Sequence, residues 1–193
     1  VSDVDRAADA IRAGKLVVYP TETVYGLAAD ATDSAAVERV FSAKQRAPDK
    51  PVSVAVPSVT ALVDLLPLTD RERRFAGEFL PGPVTVVVDR GDLPATLTGG
   101  GGRVGVRVPE HPLARDLLDR VAPITATSAN VSGRESARTV ADLDAEIREA
   151  ASVVLDGGKT PGGEPSTVVD VGRETVHRAG PLVDDIEAWL ASQ

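Results

Sequence analysis

Leu16-Val17-Val18-Tyr19-Pro20-Thr21-Glu22-Thr23-Val24-Tyr25-Gly26 carries a short apolar run into a proline stop and then into hydroxyls and one carboxylate. Leu16 to Tyr19 read as a short buried strand. Pro20 cannot donate to a ladder, so Thr21, Glu22 and Thr23 fall at or just past the strand's carboxyl end. Open α/β sheets bind their ligands there. Taken alone, a Pro-Thr-x-Thr turn is more often a structural device whose hydroxyls bond local backbone. The surrounding sequence has to decide.

Upstream, Val4, Ala7, Ala8 and Ile11 recur at helical spacing between Ser2 and Ala13, with Gly14 placed to end the helix. Downstream, Asp33 or Ser34 caps a helix with Ala36, Val37, Val40 and Phe41 on one face, halted by Pro48. Val52–Val56 reads as a strand, Ser58–Leu66 and Thr69–Phe79 as helices, and Val84–Val88 as a strand after the Pro81-Gly82-Pro83 turn. Asp89–Gly102 is polar, ends in four glycines and reads as a mobile surface connection. Val104, Val106 and Val108 then alternate with Gly105 and Arg107, which places Arg107 on the face opposite the valines. Helices are expected over His111–Val121, Thr139–Ala150 and Val183–Leu190. Strands are expected over Ile124–Thr127, Val153–Asp156, Thr167–Val171 and Thr175–Arg178. This order is mixed α/β, with no repeat and no internal boundary, so residues 1–193 are expected to form a single domain.

Composition narrows the chemistry. There is no cysteine, hence no thiolate nucleophile and no zinc ribbon, and the two histidines lie far apart in sequence. A net charge of −8 opposes a dedicated nucleic-acid binder. No apolar run approaches the ~20 residues needed to span a bilayer, and the first residues lack a signal peptide, so no membrane association and a cytoplasmic location are expected. Abundant aspartate with little lysine fits either adaptation to high salt or a GC-rich genome.

Three literal motifs fail on context. Gly100, Gly102 and Gly105 spell G-x-G-x-x-G but lead into a strand rather than opening a helix. Gly158-Lys159-Thr160 imitates the end of a phosphate-binding loop, yet Val153 stands where its first glycine belongs. Ser128 lacks the glycines of a nucleophile elbow and any nearby base.

What remains is a set of individually ordinary features. Lys44 and Arg46 sit at a helix C-terminus, where cations are favoured in any case. Ser128, Asn130 and Ser132 form a polar loop after a strand. Ser166 opens one strand and Arg178 closes the next. Their order along the chain is what resembles the YrdC family of L-threonylcarbamoyladenylate synthases. The matching pieces are Pro20-Thr21-Glu22-Thr23-Val24-Tyr25-Gly26-Leu27, Lys44-Gln45-Arg46, Lys50-Pro51 and Pro81-Gly82-Pro83-Val84-Thr85, then Val106-Arg107-Val108-Pro109, Ser128-Ala129-Asn130-Val131-Ser132-Gly133, Ser166-Thr167-Val168-Val169-Asp170 and Arg178-Ala179-Gly180. Two departures stand out: Gln45 where glycine is commoner, and Thr127 where proline often precedes Ser-x-Asn.

The resemblance implies a twisted, mixed, open sheet flanked by helices, with a large ligand cleft. It implies ATP, L-threonine and bicarbonate as substrates, and Mg²⁺ bound mainly through the ATP phosphates. A tRNA threonylcarbamoyl transferase would be the partner that takes the product. It assigns Lys44, Arg46, Ser128, Asn130, Ser136 and Arg178 to ATP, with Lys44 and Arg46 as catalytic cations, and Thr23, Arg107 and Ser166 to threonine. The resemblance implies the short form of the family, in which neither the second domain of longer relatives nor the acylphosphatase and zinc-finger modules of hydrogenase-maturation relatives are expected. Because the nucleophile belongs to the substrate, positioning and positive charge suffice from the protein. The alternative is a non-catalytic RNA-binding module using the same cleft; an aromatic content of 3% leaves it few stacking platforms, and weak or no direct tRNA binding is expected.

Overall fold

The computed structural model describes residues 2–192. Helix α1 (Asp3–Arg12) starts at a capping box in which Ser2 and Asp5 satisfy each other's backbone N–H groups. The chain reverses at Gly14 (φ +73°) into β1 (Leu16–Pro20). A tight turn at 21–24 then returns it as β2 (Tyr25–Ala28), antiparallel to β1 with Tyr19 opposite Gly26. That second strand was not anticipated. The turn carries no Asn-Gly or Asp-Gly signal; the Thr21 hydroxyl closes it instead, donating to the Val24 carbonyl (2.6 Å) and accepting from the N–H of Thr23 (3.2 Å) and Val24 (3.3 Å). Gly26 is obligatory here, because a Cβ would lie 2.8 Å from the Tyr19 ring.

Helix α2 (Ser34–Ala43) is capped by Asp33 and ends at Lys44, four residues short of the proline expected to stop it. The stop is local. Gln45 takes φ +49°, the left-handed region that ends helices and suits glycine, which gives the departure at this position a physical meaning.

The remaining elements are β3 (Ser53–Ala55), α3 (Val59–Leu65), α4 (Asp70–Phe79), β4 (Val84–Asp89), β5 (Arg103–Arg107), α5 (Pro112–Leu118), β6 (Ile124–Ser128), α6 (Ala145–Ala150), β7 (Ala151–Val154), β8 (Thr167–Asp170), β9 (Thr175–Arg178) and α7 (Val183–Ser192). Two expectations fail. The 89–102 connection is not a loose loop: Leu93 and Leu97 are buried, the Leu97 carbonyl accepts from Val52 N–H (2.7 Å), and Gly99 lies directly against the Asp49 backbone. The single helix expected over 139–150 is split, because Leu143 and Asp144 are extended and the Asp144 carboxylate accepts from Val131 N–H (2.7 Å) while pairing with Arg134.

The nine strands form one mixed sheet in the order β7-β1-β2-β6-β3-β5-β4-β8-β9. Pairs β1/β7, β3/β5 and β4/β8 are parallel and the others antiparallel. Its two halves are covered differently. Around β1 and β2, α1 and α5 bury Val17, Tyr19 and Ala28 on one face, while α2 and α6 bury Val18, Tyr25 and Leu27 on the other. Around β4, β5 and β8, one face holds Val84, Val86, Val104, Val106 and Val169 under α3, α4 and α7. Trp189 of α7 meets Phe75 edge-on (5.2 Å, 81°) in that core, and its indole N–H donates to Glu78 (2.9 Å). Among the described residues the opposite face of this half carries no helix, and the cleft lies there.

Candidate functional site

Alternation along the one-sided strands builds the cleft floor. Ser53, Thr85, Val87, Gly105 and Val168 point away from the valine core and line a cavity of about 550 Å³. Gly105 keeps the floor flat: a Cβ there would collide with Ser53 Oγ and sit 2.8 Å from Thr85 Cγ2. The β1–β2 turn closes one end, through Tyr19, Thr21, Thr23 and Gly26. Arg46, Arg107, Arg178, Ser128, Ser136 and Ser166 complete the wall.

At the turn end, Arg107 is 8% exposed. One terminal nitrogen donates to Glu22 Oε1 (2.5 Å) and the other to the Thr23 hydroxyl (3.3 Å), which shares a hydrogen bond with Thr21 (2.9 Å). Its buried Nε has no partner. Ser166 shares a hydrogen bond with Thr85 (2.7 Å), and Arg178 donates to both its hydroxyl (3.1 Å) and its carbonyl (2.9 Å). The three residues expected at the amino-acid end therefore meet on one cavity, as do Arg46, Ser128, Ser136 and Arg178 from the nucleotide set.

Lys44 and Asn130 are placed behind that wall. Lys44 is 1% exposed, and its ammonium donates to the carbonyls of Ser128 and of Asn130 (2.8 Å), while its own carbonyl accepts from Ser132 N–H (2.8 Å). It acts here as an internal tie for the 128–132 loop. Burial, and secondarily the nearby Arg46 charge, lower its pKa to about 8 against the opposing pull of Asp144. The Asn130 amide nitrogen donates to the carbonyls of Val131 (3.0 Å) and Arg134 (2.8 Å), which leaves its buried Oδ1 without a partner. Thr127 is an ordinary strand residue opposite Leu27, with its surface on the cavity.

The electrostatics are those of an anion site. Burial lowers the pKa of Arg178, and the charges of Arg107 and Arg46 lower it further, so Arg178 feels both neighbouring guanidiniums. Burial also lowers that of Arg46, whose Nε and Nη2 hold the carbonyls of Lys50 (3.2 Å) and Pro51 (2.9 Å) and fix the loop carrying it. A fourth arginine is neutralised: Arg103 forms a fork to Asp170 (2.8 and 2.8 Å) and reaches Glu72 (3.2 Å).

Three cavity or near-cavity residues escaped the sequence reading. Tyr19 reads in sequence as core, yet its phenol faces the cavity with no hydrogen-bond partner among the described residues, and burial raises its pKa to about 12, so it stays protonated. Thr85 and Glu22 also went unassigned. Thr85 had a legible signal in its alternation with the β4 valines; the role of Glu22 depends on a contact 85 positions away. Among the described residues no group of three His, Asp or Glu side chains gathers to hold a metal.

A cleft of arginines and hydroxyls on the open face of a mixed sheet, in a chain without cysteine, defines an α/β protein whose cavity lining is suited to anionic ligands. Residues 9–180 match the family model of the Sua5, YciO and YrdC proteins, described as "Telomere recombination", and the chain belongs to that family. The threonylcarbamoyl-AMP synthase of Pyrococcus abyssi is 40% identical over 168 residues, covering 86% of this chain and 49% of that protein. The chain thus spans about half the length of that relative. The threonylcarbamoyl-AMP synthase of Photobacterium profundum is 32% identical over 186 residues, covering 93% of this chain and all of that one. The crystal structure of P. abyssi Sua5 complexed with L-threonine superposes with a TM-score of 0.88 at 36% identity, over 98% of this chain and 58% of that one.

Proposed function

We propose that this chain is an L-threonylcarbamoyladenylate synthase, joining L-threonine, bicarbonate and ATP into threonylcarbamoyl-AMP with release of pyrophosphate. The observation that carries the reading is the convergence of Arg46, Arg107 and Arg178 on one hydroxyl-lined cavity. Threonine's amine adds to the carbon of bicarbonate with loss of water. A carbamate oxygen then attacks the α-phosphorus, and the bond to pyrophosphate breaks. Neither step needs a protein nucleophile. Arg107 would hold the amino-acid carboxylate, Thr23 and Ser166 the hydroxyl, and Arg46 and Arg178 the phosphates as charge builds on the leaving group.

Lys44 would act by shaping the Ser128–Ser132 loop against the nucleotide, with Asn130 Oδ1 and Ser136 offering acceptor and donor. An arginine lining suits phosphates directly, so Mg²⁺ would ride on the nucleotide, where it neutralises phosphate charge. The product would pass to a transferase partner that modifies adenosine beside the tRNA anticodon, in the cytoplasm, with little direct contact between this chain and tRNA. No described helix is long and apolar enough to cross a membrane.

The test is incubation with ATP, Mg²⁺, bicarbonate and L-threonine, with mass detection of the adduct. Formation should need threonine and bicarbonate together, and serine should replace threonine better than valine does: a lost methyl costs ~1 to 3 kcal/mol, whereas a lost hydroxyl strands polar partners. Full pyrophosphate release without either substrate would replace the synthase with a simple nucleotide hydrolase.

A further inference from the structure

The carboxylate at the centre of the β1–β2 turn is absent from every role assigned so far. Glu22 is tied at both oxygens: Oε1 accepts from Arg107 Nη2 (2.5 Å), and Oε2 accepts from the Glu110 N–H (3.2 Å), just ahead of α5. Its side chain is 13% exposed and that of Arg107 10%, so the pair is largely withdrawn from water. A guanidinium withdrawn this far, with Arg178 close enough to repel it, needs an opposing charge and a fixed orientation. Glu22 supplies both. Glu22 and Thr23 each take one bond from a different terminal nitrogen, so each of these nitrogens keeps a second N–H for a ligand, while the Nε–H is buried without a partner. The turn that carries Glu22 is itself fixed from outside. Gly162 N–H donates to the Glu22 carbonyl (3.0 Å), and a Cβ on Gly162 would lie 2.6 Å from that oxygen, so only glycine lets the 157–165 segment pack there.

We infer that Glu22 is a positioning residue for the amino-acid substrate: it fixes and balances Arg107, so that the remaining N–H groups of the guanidinium meet the substrate carboxylate. This rests on the synthase reading above for the identity of that substrate. It follows that loss of Glu22 acts on threonine and hardly on ATP, since Arg46 and Arg178 bond elsewhere. A residue that merely stabilised the fold would weaken both ligands alike and lower the melting temperature.

Calorimetric titration of the full chain with L-threonine, and separately with ATP and Mg²⁺, tests this in wild type, Glu22→Gln, Glu22→Ala and Arg107→Lys. Removing a charge-assisted partner should weaken threonine ~10-fold in Glu22→Gln and further in Glu22→Ala, with ATP changed less than ~2-fold. The Glu22→Gln/Arg107→Lys double variant should be no weaker than the worse single one, because both act through one guanidinium. The Arg107 Nε–H resonance supplies a readout that needs no substrate: sharp and slowly exchanging in wild type, broadened in Glu22→Ala. Wild-type threonine affinity in Glu22→Gln, or equal losses for threonine and ATP, would overturn the assignment. If wild type binds no threonine, the synthase reading falls; an unchanged Nε–H signal in the variants would show separately that Glu22 does not hold Arg107.

Discussion

The half of the sheet around β1 and β2 is covered on both faces, while the half around β4, β5 and β8 is covered on one. The first reads in sequence as an unbroken apolar run and is buried at every position of β1. The second reads as valines alternating with Thr85, Gly105 and Arg107, and its uncovered face is the cleft. One half thus makes a rigid frame and the other a half-finished core whose exposed side is available for ligand. Function concentrates where the frame's strand end, carrying Thr21 to Thr23, projects over the open floor.

Substitutions can separate the halves. The largest effect on stability is expected in the frame: Leu27→Ala, wholly buried between β2 and its helices, should cost ~2 to 5 kcal/mol, whereas Val168→Ala on the cleft face should cost well under that. Urea denaturation measures both, and equal losses would dissolve the distinction. Next in size, Arg46→Ala and Arg178→Ala should each lower kcat/KM for ATP by about tenfold to a hundredfold, loss of a charge-assisted contact being ~1.5 to 3 kcal/mol, with melting temperature nearly unchanged. Unaltered kinetics would remove the arginines from the phosphate path.

A smaller effect concerns pH. The folded pKa of Lys44, about 8, lies below its unfolded value, so above about 8 the unfolded chain binds more protons and this group's contribution to stability rises with pH toward the ordinary lysine range. Over the same window the tie to Ser128 and Asn130 loses its charge. ATP affinity should therefore fall several-fold between about pH 7 and about pH 9.5 even as this contribution to stability grows. Titration calorimetry at the two values checks it, and a flat affinity profile would detach the loop from Lys44. The smallest effect is Gln45→Gly, which relieves a left-handed backbone but frees the unfolded chain, for a net gain below ~1 kcal/mol. A loss of stability would mean that the Gln45 side chain contributes contacts outweighing its strain.

Elements with strong periodicity were legible: the α1 stripe, the Asp33 cap of α2 and the β5 alternation all fall where the pattern puts them. What was hidden depended on partners distant in sequence. Strand β2 follows a turn closed by a threonine side chain, which no turn dipeptide announces. The 139–150 helix breaks because Asp144 is needed at Val131, and the 89–102 connection is buried because Leu97 pairs with Val52. The candidate site came through at the level of residue types. Its directions did not: burial turns Lys44 inward onto carbonyls, and the Tyr19 phenol onto the cavity, through contacts that no local pattern encodes.

Trp189, the only tryptophan in the chain, lies on the helix-covered side of the one-sided half, against Phe75 and beneath Arg71 at 5.9 Å. The sheet separates it from the cavity floor. Its emission is consequently an optical gauge of whether α7 stays docked, silent to what occupies the other side. Conversely, of the two tyrosines, Tyr19 turns its phenol to the cavity while Tyr25 is buried on the opposite face of the sheet, so ultraviolet difference absorbance of Tyr19 is the label-free signal through which occupancy could be followed while tryptophan emission reports folding in the same cuvette.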